Sequence, residues 1–374
     1  MKQSNTRRSF LKRAAVFTSS IFLGMNTGFS KNKKMKKQQV SNIEPLGFQW
    51  KARDPFLFCV HHEDFFPKGN KNMGPDPDEL KGRQIGQDFI IKDGWRMYHG
   101  SSVPGFPGHP HRGFETVTVV RKGMVDHSDS LGGSGRYGDG DVQWMTAGKG
   151  VQHAEMFPLI NQDKDNPMEL FQIWLNLPKV NKFVEPHYKM LWAETIPTHY
   201  HKDHSGKITK IEVIAGTIEK DQAPSPTPDS WAANENNEVA IWNIQMEAGA
   251  KWNLPKASAG INRTLYFFKG DELKAGDTSI ESYHCANLVP EEVLTLEAGT
   301  EACNILILQG RPIGEPVVQH GPFVMNTKQE IQQAFTDYQN TQFGGWPWAT
   351  HAPVHPIEKG RFADHANGKV ETKG

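Results

Sequence analysis

The sequence predicts an all-β protein: two β-barrel or jelly-roll domains, followed by a short C-terminal helix and an extended tail. Three observations carry this. The 35 glycines and 24 prolines among 374 residues cut the chain into short segments and disfavour long helices. Short runs rich in β-branched and aromatic residues recur between these turns. Only one stretch carries the start signals of a helix.

The elements follow in order. Residues 1–30 read as a twin-arginine signal peptide. Thr6-Arg7-Arg8-Ser9-Phe10-Leu11-Lys12 precedes an apolar stretch, 14–25, that is too short for a stable bilayer anchor. A periplasmic protein without a stable membrane anchor is therefore expected. Residues 31–44 are polar and Lys-rich, and read as a linker. The first domain, 45–178, holds a buried strand at 56–60 and a loop at 70–78. Strands follow at 87–91, 115–120, 125–128, 141–145, 153–157 and 169–175, with a Gly-rich turn at 131–140. The second domain, 179–326, offers strands at 210–215, 238–246, 264–268, 292–296 and 302–308, and a Pro/Ser/Asn-rich loop at 221–237. Residues 327–374 contain the helix, 327–339, and an arm lying on the domains. Asn326 or Thr327 caps the helix, and Glu330 stands at capping-box spacing from Thr327.

Composition narrows the function. With 42 basic and 42 acidic residues, the chain lacks the domain-wide positive field of a nucleic-acid binder. Cys59, Cys285 and Cys303 are far apart and show no metal-binding spacing, so they read as buried small side chains.

The chemistry gathers in two short segments. His109-Pro110-His111 and His153-Ala154-Glu155 each carry two ligand-type side chains at i and i+2. On a strand, these point to one face. Two such strands side by side aim three imidazoles and a carboxylate into one volume, a donor set suited to a divalent first-row metal. His199-Tyr200-His201, with His204 nearby, has similar spacing but lies among Lys202, Asp203, Ser205 and Gly206, and reads as a solvated turn. The second half has no His-x-His at the matching places, so one metal ion per chain is expected.

The chain resembles the pirin family of the cupin superfamily. The resemblance runs from Asp54-Pro55-Phe56 to Tyr338. It is carried by His109-Pro110-His111-Arg112-Gly113-Phe114-Glu115-Thr116-Val117-Thr118, by Gly140-Asp141-Val142-Gln143-Trp144-Met145-Thr146-Ala147-Gly148, and by Gln319-His320-Gly321-Pro322-Phe323-Val324-Met325-Asn326-Thr327. It implies a bicupin whose N-terminal barrel binds a metal through His109, His111, His153 and Glu155. Iron is expected foremost, with Mn, Ni, Co, Cu or Zn as alternatives. Glu115, which many cupins use as a ligand, is assigned a supporting contact to a ligand imidazole. Two residues close to the ligands depart from the family pattern: pirins often have Asp where Gly108 stands and an aromatic residue where Val119 stands.

The implied activity is that of a quercetin 2,3-dioxygenase, acting on a flavonol or related aromatic enol. Its partners would be a small aromatic substrate and dioxygen, with Glu155 as the catalytic base, and the chain would work as a monomer. The alternative is a non-catalytic, redox-responsive metal-binding cupin. Export weighs against a role in gene regulation.

Overall fold

The computed structural model describes residues 38–373; the twin-arginine segment lies outside them. Along the first half run β1 (Val40–Pro45), β2 (Gln49–Lys51), β3 (Phe56–Phe66), β4 (Gly105–His111), β5 (Phe114–Lys122), β6 (Met124–Asp129), β7 (Ser134–Gly138), β8 (Val142–Thr146), β9 (Val151–Met156), β10 (Asn166–Asn176) and β11 (His187–Leu191). The second half contributes β12 (Thr198–Lys202), β13 (Ile208–Ala215), the short hairpin β14 (Thr217–Ile218) and β15 (Asp221–Gln222), and β16 (Ala240–Met246). It continues with β17 (Lys251–Leu254), β18 (Asn262–Lys269), β19 (Glu272–Ala275), β20 (Thr278–Glu281), β21 (His284–Leu288), β22 (Leu294–Ala298) and β23 (Cys303–Gly310). The hairpin of β24 (Val318–His320) and β25 (Phe323–Met325), helix α1 (Lys328–Thr341), β26 (Arg361–Asp364) and β27 (Val370–Lys373) complete the chain.

Two cupin barrels result. The first packs the sheet β11-β8-β5-β10-β3-β2 against the sheet β27-β26-β7-β6-β9-β4. The second packs β1-β21-β18-β23-β16-β13-β12 against β17-β22-β19-β20. Each barrel has its own apolar interior, around Val125, Tyr137 and Leu170 in one and Ile244, Leu265 and Phe267 in the other. A third core joins them, with Val117, Val119, Trp144, Phe171 and Ile173 meeting Ile241, Tyr266, Leu306 and Leu308. The central strands of the first sheet are thus covered on both faces, which explains why β5 is buried almost throughout.

Several expectations shift. Residues 40–45, all but the last expected in the linker, form β1, which pairs with β21 and adds an edge to the second barrel. The chain does not part cleanly at 178/179. Strand β11 returns to pair with β8, and the tail does more than lie on the surface, since β26 pairs with β7. The expected strand at 87–91 is absent; only Asp88 bridges to Tyr98 there. The expected Gly-rich turn contains β7. Its glycines serve close packing: a Cβ on Gly135 would stand 2.9 Å from both Met190 Cε and the Phe362 carbonyl oxygen. The helix is found where its cap predicts, with Thr327 and Glu330 closing a reciprocal capping box. Among the described residues, no helix is long and apolar enough to cross a membrane.

Candidate metal centre

Strands β4 and β9 pair antiparallel, with His109 opposite His153. Their i, i+2 spacing turns both pairs toward the interior of the first barrel. The ring centroids of His109, His111 and His153 lie 4.5–4.9 Å apart. One nitrogen from each of the three lies within 4.8 Å of the others.

Backbone carbonyls set the ring orientations. His109 Nδ1 lies 2.9 Å from the Pro107 oxygen, and His111 Nδ1 lies 3.4 Å from that of Pro322. A carbonyl can only accept, so Nδ1 carries the proton in both rings and Nε2 keeps the lone pair. His153 is fully buried, and neither of its ring nitrogens has a hydrogen-bond partner. Buried polar atoms are rarely left so; a cation among the three imidazoles would satisfy one of them. Burial holds His109 down at about 4, and His111 and His153 well below the usual histidine range. All three are neutral at pH 7, as metal ligands must be.

Glu155 stands beside this trio, its Oε2 3.8 Å from His153 Nε2. Its carboxylate accepts from Gln172 Nε2 at 2.7 Å, Thr118 Oγ1 at 3.0 Å and Tyr137 Oη at 3.4 Å. Burial pushes its pKa up against these donors. None of the three was singled out from the sequence, since they come from β10, β5 and β7. One signal was available. Gln172 interrupts a strand, Leu170 to Leu175, that is otherwise apolar on both faces.

The expected supporting role of Glu115 is not what the structure places there. Gly113 forms the corner between β4 and β5, with φ +84°, and a Cβ on it would meet the Val324 oxygen at 2.1 Å. The two strands belong to opposite sheets, so the alternation restarts at the corner. Phe114 and Thr118 therefore face the histidines, while Glu115, Val117 and Val119 face the second barrel. Glu115 accepts from Trp144 Nε1 and from the hydroxyls of Thr146, Thr227 and Ser230, and touches no ligand imidazole. Val119 likewise lies in the core between the barrels, away from the ligands.

Gly108 does lie at the site, and the tail explains it. Its N–H donates to the His351 carbonyl at 2.7 Å. A Cβ there would stand 3.1 Å from His351 Nδ1 and 3.3 Å from Trp346. His199 and His201 sit on an edge strand, β12, while His204 lies in the turn that follows. His199 is paired with Asp221 at 2.8 Å, and among the described residues only His109, His111 and His153 form a metal-type cluster.

Above the trio opens a cavity of about 320 Å³. Phe48, Phe58, Phe89, Phe106, Phe157 and Trp174 form its apolar walls, and Glu155, Gln172 and Thr118 are among its few polar groups. Gly321 and Pro322 close one side, which gives the 319–327 segment a place in the site.

Sequence comparison places this geometry. Residues 37–175 match the family profile "Pirin", and residues 241–344 match "Pirin C-terminal cupin domain". The chain belongs to the pirin family. A pirin-like protein of Caulobacter vibrioides is 38% identical over 261 residues, covering 70% of this chain and 88% of its own. Human pirin is 35% identical over 263 residues, covering 68% and 82%. Among solved structures, a quercetin 2,3-dioxygenase from Acinetobacter baumannii superposes with a TM-score of 0.62 at 28% identity, over 82% of this chain and 96% of that one. The histidine trio of this pirin lies in the N-terminal profile; the C-terminal profile covers the barrel without such a cluster.

Proposed function

We propose that this pirin is a metal-dependent dioxygenase that opens a flavonol or related aromatic enol. The observation that carries the proposal is the joining of three neutral, inward-facing imidazoles and a braced carboxylate at the floor of an aromatic cavity. The likeness to a quercetin 2,3-dioxygenase supports the substrate class.

In this reading His109, His111, His153 and Glu155 hold one divalent ion, iron foremost. The orphaned nitrogens of His153 and the carbonyl-fixed tautomers of His109 and His111 suit such an ion. When bound, the ion supplies Lewis-acid activation of a substrate hydroxyl and electron exchange with dioxygen. The residues do the rest. Glu155 takes the proton of the enol hydroxyl, and Gln172 and Thr118 keep its oxygens aimed at the site. The apolar walls exclude water and face the flat rings of the substrate. The ring then opens with loss of carbon monoxide.

Two variants test this. Glu155→Gln preserves shape but removes the charge, so with iron and quercetin it lowers dioxygen uptake by about 10²–10⁴-fold while keeping more of the metal than of the activity. His153→Ala loses metal and activity together. Full activity in Glu155→Gln would remove the base from the mechanism. Export is proposed on the Arg7-Arg8 pattern. Replacing both arginines by lysine should hold the protein in the cytoplasm, and unchanged export would refute the twin-arginine route.

A further inference from the structure

We propose that His62 is a second anchor of the cavity: its Nε2 accepts a hydrogen bond from a hydroxyl at the end of the aromatic substrate remote from Glu155. The inference rests on the flavonol reading above and adds a selection rule to it.

The argument starts on β3. Alternation puts Phe58, Val60 and His62 on the cavity wall, where they pair with Trp174, Gln172 and Leu170 of β10. His62 is therefore the diagonal neighbour of Gln172, about 7–8 Å away in an antiparallel pair. Gln172 in turn holds Glu155 at 2.7 Å. A planar molecule with its enol at Glu155 and its rings along this face extends toward His62.

A buried chain of hydrogen bonds fixes the imidazole. Arg96 grips Asp64 through Nε at 3.0 Å and Nη2 at 2.9 Å. Tyr98 donates its hydroxyl to Asp64 Oδ2 at 2.5 Å, and His62 Nδ1 lies 2.8 Å from that same hydroxyl. The carboxylate can only accept, so the phenol proton points to Asp64 and the phenol oxygen accepts from Nδ1–H. The lone pair of the neutral ring is then on Nε2. Burial, reinforced by the charge of Arg96, holds His62 down at about 3, so the ring stays neutral.

The ring's hydrogen bond to Tyr98 is made through Nδ1, and His62 lines the cavity at 4% exposure. The surrounding wall, Phe48, Phe89 and Phe106, offers no donor. A fixed acceptor in apolar surroundings selects a ligand that brings a donor, because one without it leaves the acceptor unpaired. The ligand class is thus a planar aromatic enol with a second hydroxyl at its far end. A carboxylate there would face the lone pair and be rejected.

The test is calorimetric titration of the iron-loaded protein under nitrogen with two ligands. Quercetin carries hydroxyls at both ends; 3-hydroxyflavone keeps the enol and has no other. Wild type should bind quercetin more tightly by about 3–10-fold, the range of one hydrogen bond. His62→Phe should bring the two ligands to within about twofold at unchanged iron content. His62→Gln, whose amide oxygen is again an acceptor, should keep part of the preference, and it serves if the phenylalanine variant fails to fold. A preference that survives in both variants overturns the His62 assignment and leaves the flavonol reading standing. Equal weakening of both ligands also overturns it, since that marks a structural role. If wild type binds neither ligand, the flavonol reading itself fails, and the selection rule falls with it.

Discussion

Glu115→Gln separates the joint between the barrels from the chemistry of the first barrel. The carboxylate is fully buried and receives three hydroxyls and the Trp144 indole. Burial nonetheless lifts its pKa from an ordinary 4.5 to about 7, with those four donors opposing the rise. The folded protein therefore holds this proton more tightly than the unfolded chain. The resulting stabilisation is complete below about pH 4.5 and is lost as the pH rises through about 7. At about 1.4 kcal/mol per pH unit, the interval corresponds to about 3 kcal/mol. Glutamine keeps the shape and cannot titrate. The assay is urea unfolding of both proteins from pH 4.5 to 8, reported as the difference between them, so that the buried histidines, which take up protons in this range only in the unfolded chain, cancel. Wild type should lose stability relative to the variant as the pH rises, by up to about 3 kcal/mol, and the variant should keep its full metal content. Parallel curves, or loss of metal from the variant, would refute the placement of Glu115 between the barrels.

Two further predictions concern the site. Gln172→Leu removes the 2.7 Å donor from Glu155 and should lower metal affinity by about 10–100-fold, measured by chelator competition; unchanged affinity would mean that Glu155 needs no brace. Gly108→Asp places a side chain 3.1 Å from His351 Nδ1, so hydrogen exchange at residues 346–352 should quicken while the metal is retained. Unaltered exchange would show that the tail does not depend on Gly108.

Much of this was legible in the sequence, for identifiable reasons. The inward-facing pairs His109/His111 and His153/Glu155 are legible because each is local: i, i+2 spacing within one strand decides the face without knowledge of the fold. The helix could be found because its capping box is local too. Glu115 was misplaced because the same parity was carried across Gly113, where the chain turns from one sheet to the other and alternation restarts. Strand β7 was missed because its glycines serve close packing against Met190 and β26, a need set by residues far along the chain. The segment from His199 reads as a turn because its residues 204–206 do form one, immediately after the edge strand that carries His199 and His201. The brace of Glu155 and the chain from Arg96 to His62 draw on several strands and on residues 67–104, between β3 and β4, where no spacing rule operates.

The most direct test of the proposed reaction is the gas balance. Iron-loaded protein is mixed with quercetin in a sealed cell, and dioxygen consumed and carbon monoxide released are measured together. Oxidative opening of the flavonol ring predicts carbon monoxide in equal amount to dioxygen, with both absent from His153→Ala. Dioxygen uptake without carbon monoxide, or quercetin left intact by fully iron-loaded wild type, would contradict it.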